Sequence, residues 1–304
     1  MSVKHSPSKK RRYLYERINW EQKLIIVLGY RGSGKTTLLL QHLSAIQRMG
    51  IYVSLDDFYF ETHRLVESVE SLYELGYRVF LLDEVHRYGW WSKDLKQLYD
   101  DYEDIQIIAT GSSILDISKG NADLSRRASV YHLHGLSFRE YLNFQKNINL
   151  PKLSLEEILN KHQILASEIL DTFNFDSDFQ NYMRFGYFPY FLESKNAYHQ
   201  GISYLQKPEK IYLQNPNFIY VFSPEMANIG SVRETFFLNQ LSAVHSVTAP
   251  KFGDFMVDDT YVFEVGGASK TTDQLRGIPH SYLALDIEGG SNRRVPLWLF
   301  GMLY

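Results

Sequence analysis

Residues Gly29, Tyr30, Arg31, Gly32, Ser33, Gly34, Lys35 and Thr36 form the series G-x-x-x-x-G-K-T, directly after the apolar run 24–28 and directly before the helix-like stretch 38–43. Glycines at these places let several backbone N–H groups turn inward around an anion, with φ values and close approaches that a Cβ would block. Lys35 adds a mobile positive charge for β- and γ-phosphate oxygens, and Thr36 offers a hydroxyl to Mg²⁺. The helix that follows, entered through Thr37, turns its positive dipole end toward the phosphates. Residues 29–37 therefore read as a phosphate-binding loop, with nucleotide binding as the expected chemistry.

A second group of residues extends this chemistry. The apolar series 79–82 ends in Asp83 and Glu84, which places two carboxylates at the carboxyl edge of a sheet, where ligands sit in open α/β folds. Beside a phosphate loop, Asp83 can hold Mg²⁺ and Glu84 can orient and polarise an attacking water. Any strand can end in an acid; the pairing with Lys35 and Thr36 is what makes the signal specific. A third strand ends in Thr110, Gly111, Ser112 and Ser113. Thr110 could contact the γ-phosphate or the water, and Ser112 or Ser113 could cap a helix; the two roles are compatible.

These residues need elements to hold them. From 24 to 133, short apolar runs alternate with helical patterns, as in a parallel sheet covered by helices. Strands are expected at 24–28, 51–55, 79–82, 106–109 and 130–133. Helices are expected at 35–49, ending at Gly50, and at 64–75, ending at Gly76, each glycine suiting a left-handed cap. A helix at 138–144 closes this domain, and 153–204 reads as helical with aromatic interruptions. From 211 the texture changes to strand-like runs at 218–222, 254–257, 261–265 and 282–286, with a helix at 233–244.

With 304 residues, 44% hydrophobic and 22% charged, the chain is expected to fold as two domains. It has no cysteine, so disulfides and thiolate metal sites are excluded. No run of about twenty apolar residues could span a bilayer, and a soluble, cytoplasmic protein with no membrane partner is the expectation. The net charge of −3 gives no overall attraction to nucleic acid. The basic run Lys9, Lys10, Arg11 and Arg12 reads as a solvated tail, with a nucleic-acid patch as the alternative. The 22 tyrosines and 19 phenylalanines are scattered, as in an aromatic-rich core.

Taken in order, the phosphate loop, Leu-Leu-Asp-Glu-Val-His (81–86), Ala-Thr-Gly-Ser-Ser (109–113), Leu-Ser-Phe-Arg-Glu-Tyr-Leu (136–142) and Phe-Gly-Tyr-Phe-Pro (185–189) resemble the prokaryotic AAA-type P-loop ATPases. More narrowly, the chain is similar to those carrying a winged helix and a restriction-endonuclease-like C-terminal domain. The resemblance implies an α/β P-loop core with the Thr110 strand inserted between the loop's strand and the Asp83 strand. It implies ATP and Mg²⁺ as cofactors and a basic residue, Arg126 or Arg127, as a sensor or finger on the phosphates of its own chain or of a neighbour; Arg127, which just precedes the last core strand, is preferred, with a surface ion pair as the alternative for either arginine. The implied organisation is a basic extension at 1–20, the ATPase domain at 21–145, a helical linker or truncated winged helix at 146–212, and a small α/β nuclease-like domain at 213–304. Between 189 and 207 there is no room for a full winged helix, which weakens a DNA-binding role carried by one.

Residues 207–213, 263–267 and the end of the chain resemble the same C-terminal domain. In the endonuclease fold an aspartate and an E-x-K pair bind Mg²⁺ and activate water. Here Asp254 and Glu264 take the acidic places, Glu234 is a candidate third, and the lysine place is Gly266. Lys270 is the nearest substitute; without an ammonium at this place nothing neutralises charge on the pentavalent phosphorus. A partner-binding module, for protein or DNA, is the expectation for this domain. For the chain, the expectation is an ATPase whose Lys35, Glu84, Thr110 and Arg127 act on the phosphates and whose Thr36 and Asp83 hold the metal. A nucleotide-gated binding module with little turnover and a metal-dependent DNA nuclease are the alternatives, and self-association is expected as in related ring-forming ATPases.

Overall fold

The computed structural model describes residues 10–111, 124, 126–189, 212–223 and 225–304. The chain divides into two compact units, one ending at Gly135 and one beginning at Leu136. The division falls ten residues ahead of the boundary expected at 145.

In the first unit the described residues form a five-stranded sheet of β1 (Leu24–Leu28), β2 (Gly50–Ser54), β3 (Val79–Asp83), β4 (Gln106–Gly111) and β5 (Ser129–His132), ordered β2-β3-β4-β1-β5. All four pairings are parallel. β1, β3 and β4 are buried along their whole length, which is why they read as continuous apolar runs rather than alternating ones. Leu24, Ile26 and Leu28 enter the core on one face of the sheet, and Ile25 and Val27 the core on the other. The helices α1 (Lys35–Ala45), α2 (Leu65–Glu74) and α3 (Trp91–Asp101) connect the strands.

Helix α1 stops four residues short of the expected 49, and Gly50 opens β2 instead of capping the helix. Close packing explains this glycine: a Cβ there would stand 2.6 Å from Ile46 Cδ1 and 2.9 Å from Leu43 Cδ1. Gly76, by contrast, has the left-handed conformation expected of it, with φ +96°.

The second unit opens with α4 (Phe138–Lys146), which begins with a reciprocal capping box between Ser137 and Glu140. Its Phe138, Tyr141 and Leu142 are buried in the core of this unit, so the helix expected to close the first domain belongs to the second. α5 (Leu155–Leu170) starts with a matching box between Ser154 and Glu157. Two short π-helical turns, Phe175–Phe179 and Tyr182–Gly186, follow.

The run 218–222, expected as a strand, is helical: it lies in α6 (Pro216–Phe222). Its aromatic and β-branched residues favour a strand locally, but Pro216 in the first turn pre-sets the helical φ, and Phe218 and Phe222 stack one turn apart. α7 (Ile229–Ser242) then precedes a mixed sheet of β6 (Val247–Thr248), β7 (Phe255–Val257), β8 (Tyr261–Gly267), β9 (Ser281–Asp286) and β10 (Arg294–Pro296), ordered β10-β9-β8-β7-β6. β8, β9 and β10 run parallel, and β7 pairs antiparallel with both β6 and β8. Phe138, Phe179, Tyr182, Phe236, Phe263 and Trp298 fill this unit's core, so the aromatic residues there serve packing.

Residues 112–123, 190–211 and Lys9 lie outside the described residues. With them go the caps expected of Ser112 and Ser113, the end of the helical stretch 153–204, the winged-helix question and most of the 207–213 motif. Among the described residues no helix is long and apolar enough to cross a membrane.

Candidate nucleotide-binding site

The phosphate loop leaves β1 at the carboxyl edge of the first sheet. Gly29 packs so tightly that a Cβ would stand 2.5 Å from the Leu133 carbonyl oxygen. Gly32 and Gly34 have φ of +81° and +98°, the left-handed region that glycine enters without steric cost. Gly34 is also the residue preceding α1, and the bond from Leu38 N to Gly34 O at 3.0 Å opens the helical ladder. The N–H groups of Lys35, Thr36 and Thr37 precede that bond, as the first turn of any helix requires, and can serve an anion. Tyr30, Arg31, Thr36 and Thr37 are exposed around the loop, whereas Ser33 and Lys35 are buried.

Lys35 donates from Nζ to the carbonyls of Gly29 at 2.9 Å and Tyr30 at 3.1 Å. Burial lowers its pKa from the ordinary lysine value, with the Glu84 and Asp83 carboxylates working in the opposite direction and Arg31 adding to the fall.

Asp83 is the hub of the site. Its Oδ2 accepts from Thr36 Oγ1 at 2.6 Å and from Tyr52 Oη at 2.9 Å, and its Oδ1 accepts from Thr110 Oγ1. Thr110 reaches it because β4 lies beside β3; the same Oγ1 accepts from the Glu84 backbone N–H at 3.1 Å. Burial, then the Asp83 carboxylate, pushes the Tyr52 phenol well above its ordinary range, so it stays a donor. Glu84 takes a left-handed backbone, φ 55° and ψ 40°, which is uncommon for a residue with a Cβ. Its Oε2 lies 3.4 Å from His86 Nε2.

The structure thus brings together Lys35, Thr36, Asp83, Glu84 and Thr110, as expected. Arg127 stands apart from this group, in the ion pair that was the alternative to a role on the phosphates. It pairs through Nε and Nη2 with Asp100 Oδ1 and Oδ2 at 2.9 and 3.0 Å, near the end of α3. β5 begins at Ser129, and Ser129 stands opposite Ile25, so Arg127 lies at the amino edge of the sheet. The loop leaves the other edge, roughly 15 Å of strand away, and Arg127 cannot reach phosphates held by its own chain. A cavity of about 460 Å³ beside Trp20, Lys23, His42 and Gln106 also lies at this amino edge and belongs to different surroundings.

Two contributors escaped the sequence reading. Tyr52 sits in a strand whose place beside β3 only the fold reveals. Arg12, read as part of a solvated tail, is 5% exposed and donates to the Ser33 carbonyl inside the loop. Arg11 alone of the described basic run matches the expectation of an exposed side chain, lying 4.1 Å over the Tyr15 ring.

In the second unit, Asp254 Oδ2 accepts from the Val265 N–H at 2.9 Å, and Glu264, 2% exposed, lies on β8. Lys270 Nζ stands 2.6 Å from Glu264 Oε1 and 3.8 Å from Asp254 Oδ2. Its stem lies across Gly266, where a Cβ would meet Lys270 Cδ at 2.7 Å. Glu234, the candidate third carboxylate, accepts from Tyr212 Oη at 2.9 Å, and among the described residues no three acidic or histidine side chains gather as a metal site.

Residues 21–142 match the family model described as an AAA domain. The match runs past Gly135 into α4. An uncharacterized protein of Methanocaldococcus jannaschii is 35% identical over 195 residues, covering 58% of this chain and 40% of that one. An uncharacterized protein of Haemophilus influenzae is 26% identical over 174 residues, covering 49% and 42%. The chain thus spans about two fifths of the length of these curated relatives. Among solved structures, the RuvB Holliday junction branch migration motor of Thermotoga maritima is 17% identical with a TM-score of 0.32, covering 41% of this chain and 42% of that one. A point mutant of the same motor gives 19% and 0.33 over similar spans.

Proposed function

We propose that the first unit binds ATP with Mg²⁺ and hydrolyses its β–γ bond. The observation that carries this reading is Asp83, held by Thr36, Tyr52 and Thr110 at the sheet edge from which the phosphate loop leaves. The loop N–H groups and Lys35 would bind the phosphates, with Lys35 exchanging the Gly29 and Tyr30 carbonyls for phosphate oxygens. Thr36 and Asp83 would hold Mg²⁺, which when bound offsets charge on the β and γ oxygens. Glu84 would align water and take its proton, its position fixed by the bond from its N–H to Thr110.

Turnover would drive a conformational or partner-binding switch in which the second unit meets a protein or DNA, in the cytoplasm, with self-association as part of the cycle. The direct test is phosphate release by the wild type against Glu84→Gln. The variant should keep ATP affinity and lose roughly 100-fold or more in rate; equal rates would remove Glu84 from the role.

Lys270 favours a second reading for the other unit. Its ammonium reaches the carboxylates over Gly266, the place where the endonuclease lysine is missing. Asp254 and Glu264 would hold a divalent ion and Lys270 would offset charge on a phosphodiester under attack by water. Incubating DNA with the protein and Mg²⁺ or Mn²⁺, beside Asp254→Ala, tests this; intact DNA with the wild type sinks it.

A further inference from the structure

Arg12 is separated from the phosphate loop by about twenty residues of chain and is packed behind it. Its guanidinium donates to three backbone carbonyls: Ser33 in the loop, His134 at 2.9 Å and Gly135 at 2.7 Å. The last two are the final residues of the first unit. The surrounding segment is docked by further bonds. Gln41 of α1 donates to the Lys10 carbonyl at 2.9 Å, and Tyr13 Oη donates to the His132 carbonyl at 3.0 Å.

The Ser33 carbonyl shares a peptide with the Gly34 N–H, and in a trans peptide these two groups point in opposite directions. All peptide bonds of the described chain are trans. A guanidinium that holds the carbonyl therefore aims the Gly34 N–H away from itself, toward the side of the loop where an anion binds. Gly34 is the residue most in need of such help, because its φ of +98° lies on a broad, soft part of the glycine map. Leu133 backs the loop at Gly29, so the end of β5 and Arg12 together form a wall behind it.

We infer that Arg12 is a positioning residue for phosphate binding: its guanidinium presets the Ser33–Gly34 peptide and ties it to the carbonyls of His134 and Gly135. The inference rests on reading the loop as an ATP site. Arginine suits the task because one planar fork can serve three acceptors at once, whereas a lysine ammonium is a point donor on a flexible stem. Arg12 touches no reacting atom. Its loss should raise the KM for ATP, leave kcat at saturation within about threefold, and weaken ADP as much as ATP, since both carry the β-phosphate.

The test is calorimetric titration of ADP and ATP, together with steady-state turnover, for the wild type, Arg12→Met, Arg12→Lys and Tyr13→Phe. Arg12→Met should bind both nucleotides about tenfold more weakly, a loss of about 1.4 kcal/mol. Arg12→Lys should recover part of this. Tyr13→Phe removes a docking bond of the same segment without touching the loop, and should keep wild-type affinity. If the wild type binds neither nucleotide, the ATP reading itself has failed. If it binds and folded Arg12→Met binds equally well, only the Arg12 inference is overturned. Should Arg12→Met not fold, wild-type affinity in Arg12→Lys overturns it; so does a tenfold loss in Tyr13→Phe, which would assign the effect to docking of the segment.

Discussion

Thr36 Oγ1 and Asp83 Oδ2 stand 2.6 Å apart, linking the first turn of α1 to the end of β3. The two groups proposed to hold Mg²⁺ are thus adjacent through one hydrogen bond, and Thr110 and Tyr52 fix the carboxylate from two other strands. Replacing Asp83 by Asn keeps the shape and removes the charge. Asp83→Asn should raise the Mg²⁺ concentration giving half-maximal phosphate release by about tenfold or more. Thr36→Ala should act in the same direction, read from the same Mg²⁺ titration.

Lys35 predicts a pH dependence of binding. Burial lowers its pKa in the free protein, and phosphate oxygens would raise it on binding by favouring the charged form. Affinity should be flat on the acid side and fall about tenfold per pH unit once pH exceeds the free-protein pKa. Between the free and bound pKa values, binding should take up a proton. ADP titrations from pH 7 to 10 in buffers of different ionisation enthalpy measure both effects, and Lys35→Met should bind weakly with neither.

His42 predicts an acid-side loss of stability. It is 6% exposed, stacks on Trp20 at 3.8 Å, and has no hydrogen-bond partner at either ring nitrogen among the described residues. Burial, then the charge of Arg11, lowers its pKa from 6.5 to about 4. Between those values the unfolded chain binds more protons than the folded one, so stability falls as pH drops through 6.5 toward 4. Going from pH 7 to pH 5 should cost about 2 kcal/mol from this residue. Urea unfolding at the two pH values measures it, and His42→Phe should lose that part of the slope.

Lys270 predicts a coupling in the second unit. Lys270→Met leaves the Glu264 carboxylate buried without its cation and should destabilise this unit by about 2–3 kcal/mol. The double variant Lys270→Met, Glu264→Gln should recover most of the loss in urea unfolding, because no charge is then left alone. Additive losses would show that the two side chains act independently.

What could be read without the fold follows from the range of the interactions. β1, β3 and β4 are buried on both faces, so their positions and the residues at their ends were legible as apolar runs followed by Gly29, Asp83 and Thr110. Tyr52 and Arg12 were not, because Tyr52 acts on a residue 31 positions away and Arg12 on residues 21, 122 and 123 positions away, through strand order and chain docking that no local pattern encodes. The edge at which Arg127 stands was legible too. In a parallel sheet with ligands at the carboxyl ends, a residue just before a strand stands at the opposite edge. Phe218 to Phe222 are ambiguous because β-branched and aromatic side chains suit a strand equally well, and the one local signal for a helix is Pro216 in its first turn. Lys270 is the nearest ammonium to Gly266 in the sequence, and only the loop after β8 lays its stem across that glycine.

The order β2-β3-β4-β1-β5 sets a distance as well as a neighbourhood. With β4 between them, the strand that feeds the loop and the strand that ends in Asp83 lie two sheet spacings apart, about 10 Å. The width of one inserted strand is therefore the gauge of the site: it spaces the anion cradle from the carboxylates, and its own last side chain, Thr110, fastens the far side of the gap at Asp83 and Glu84.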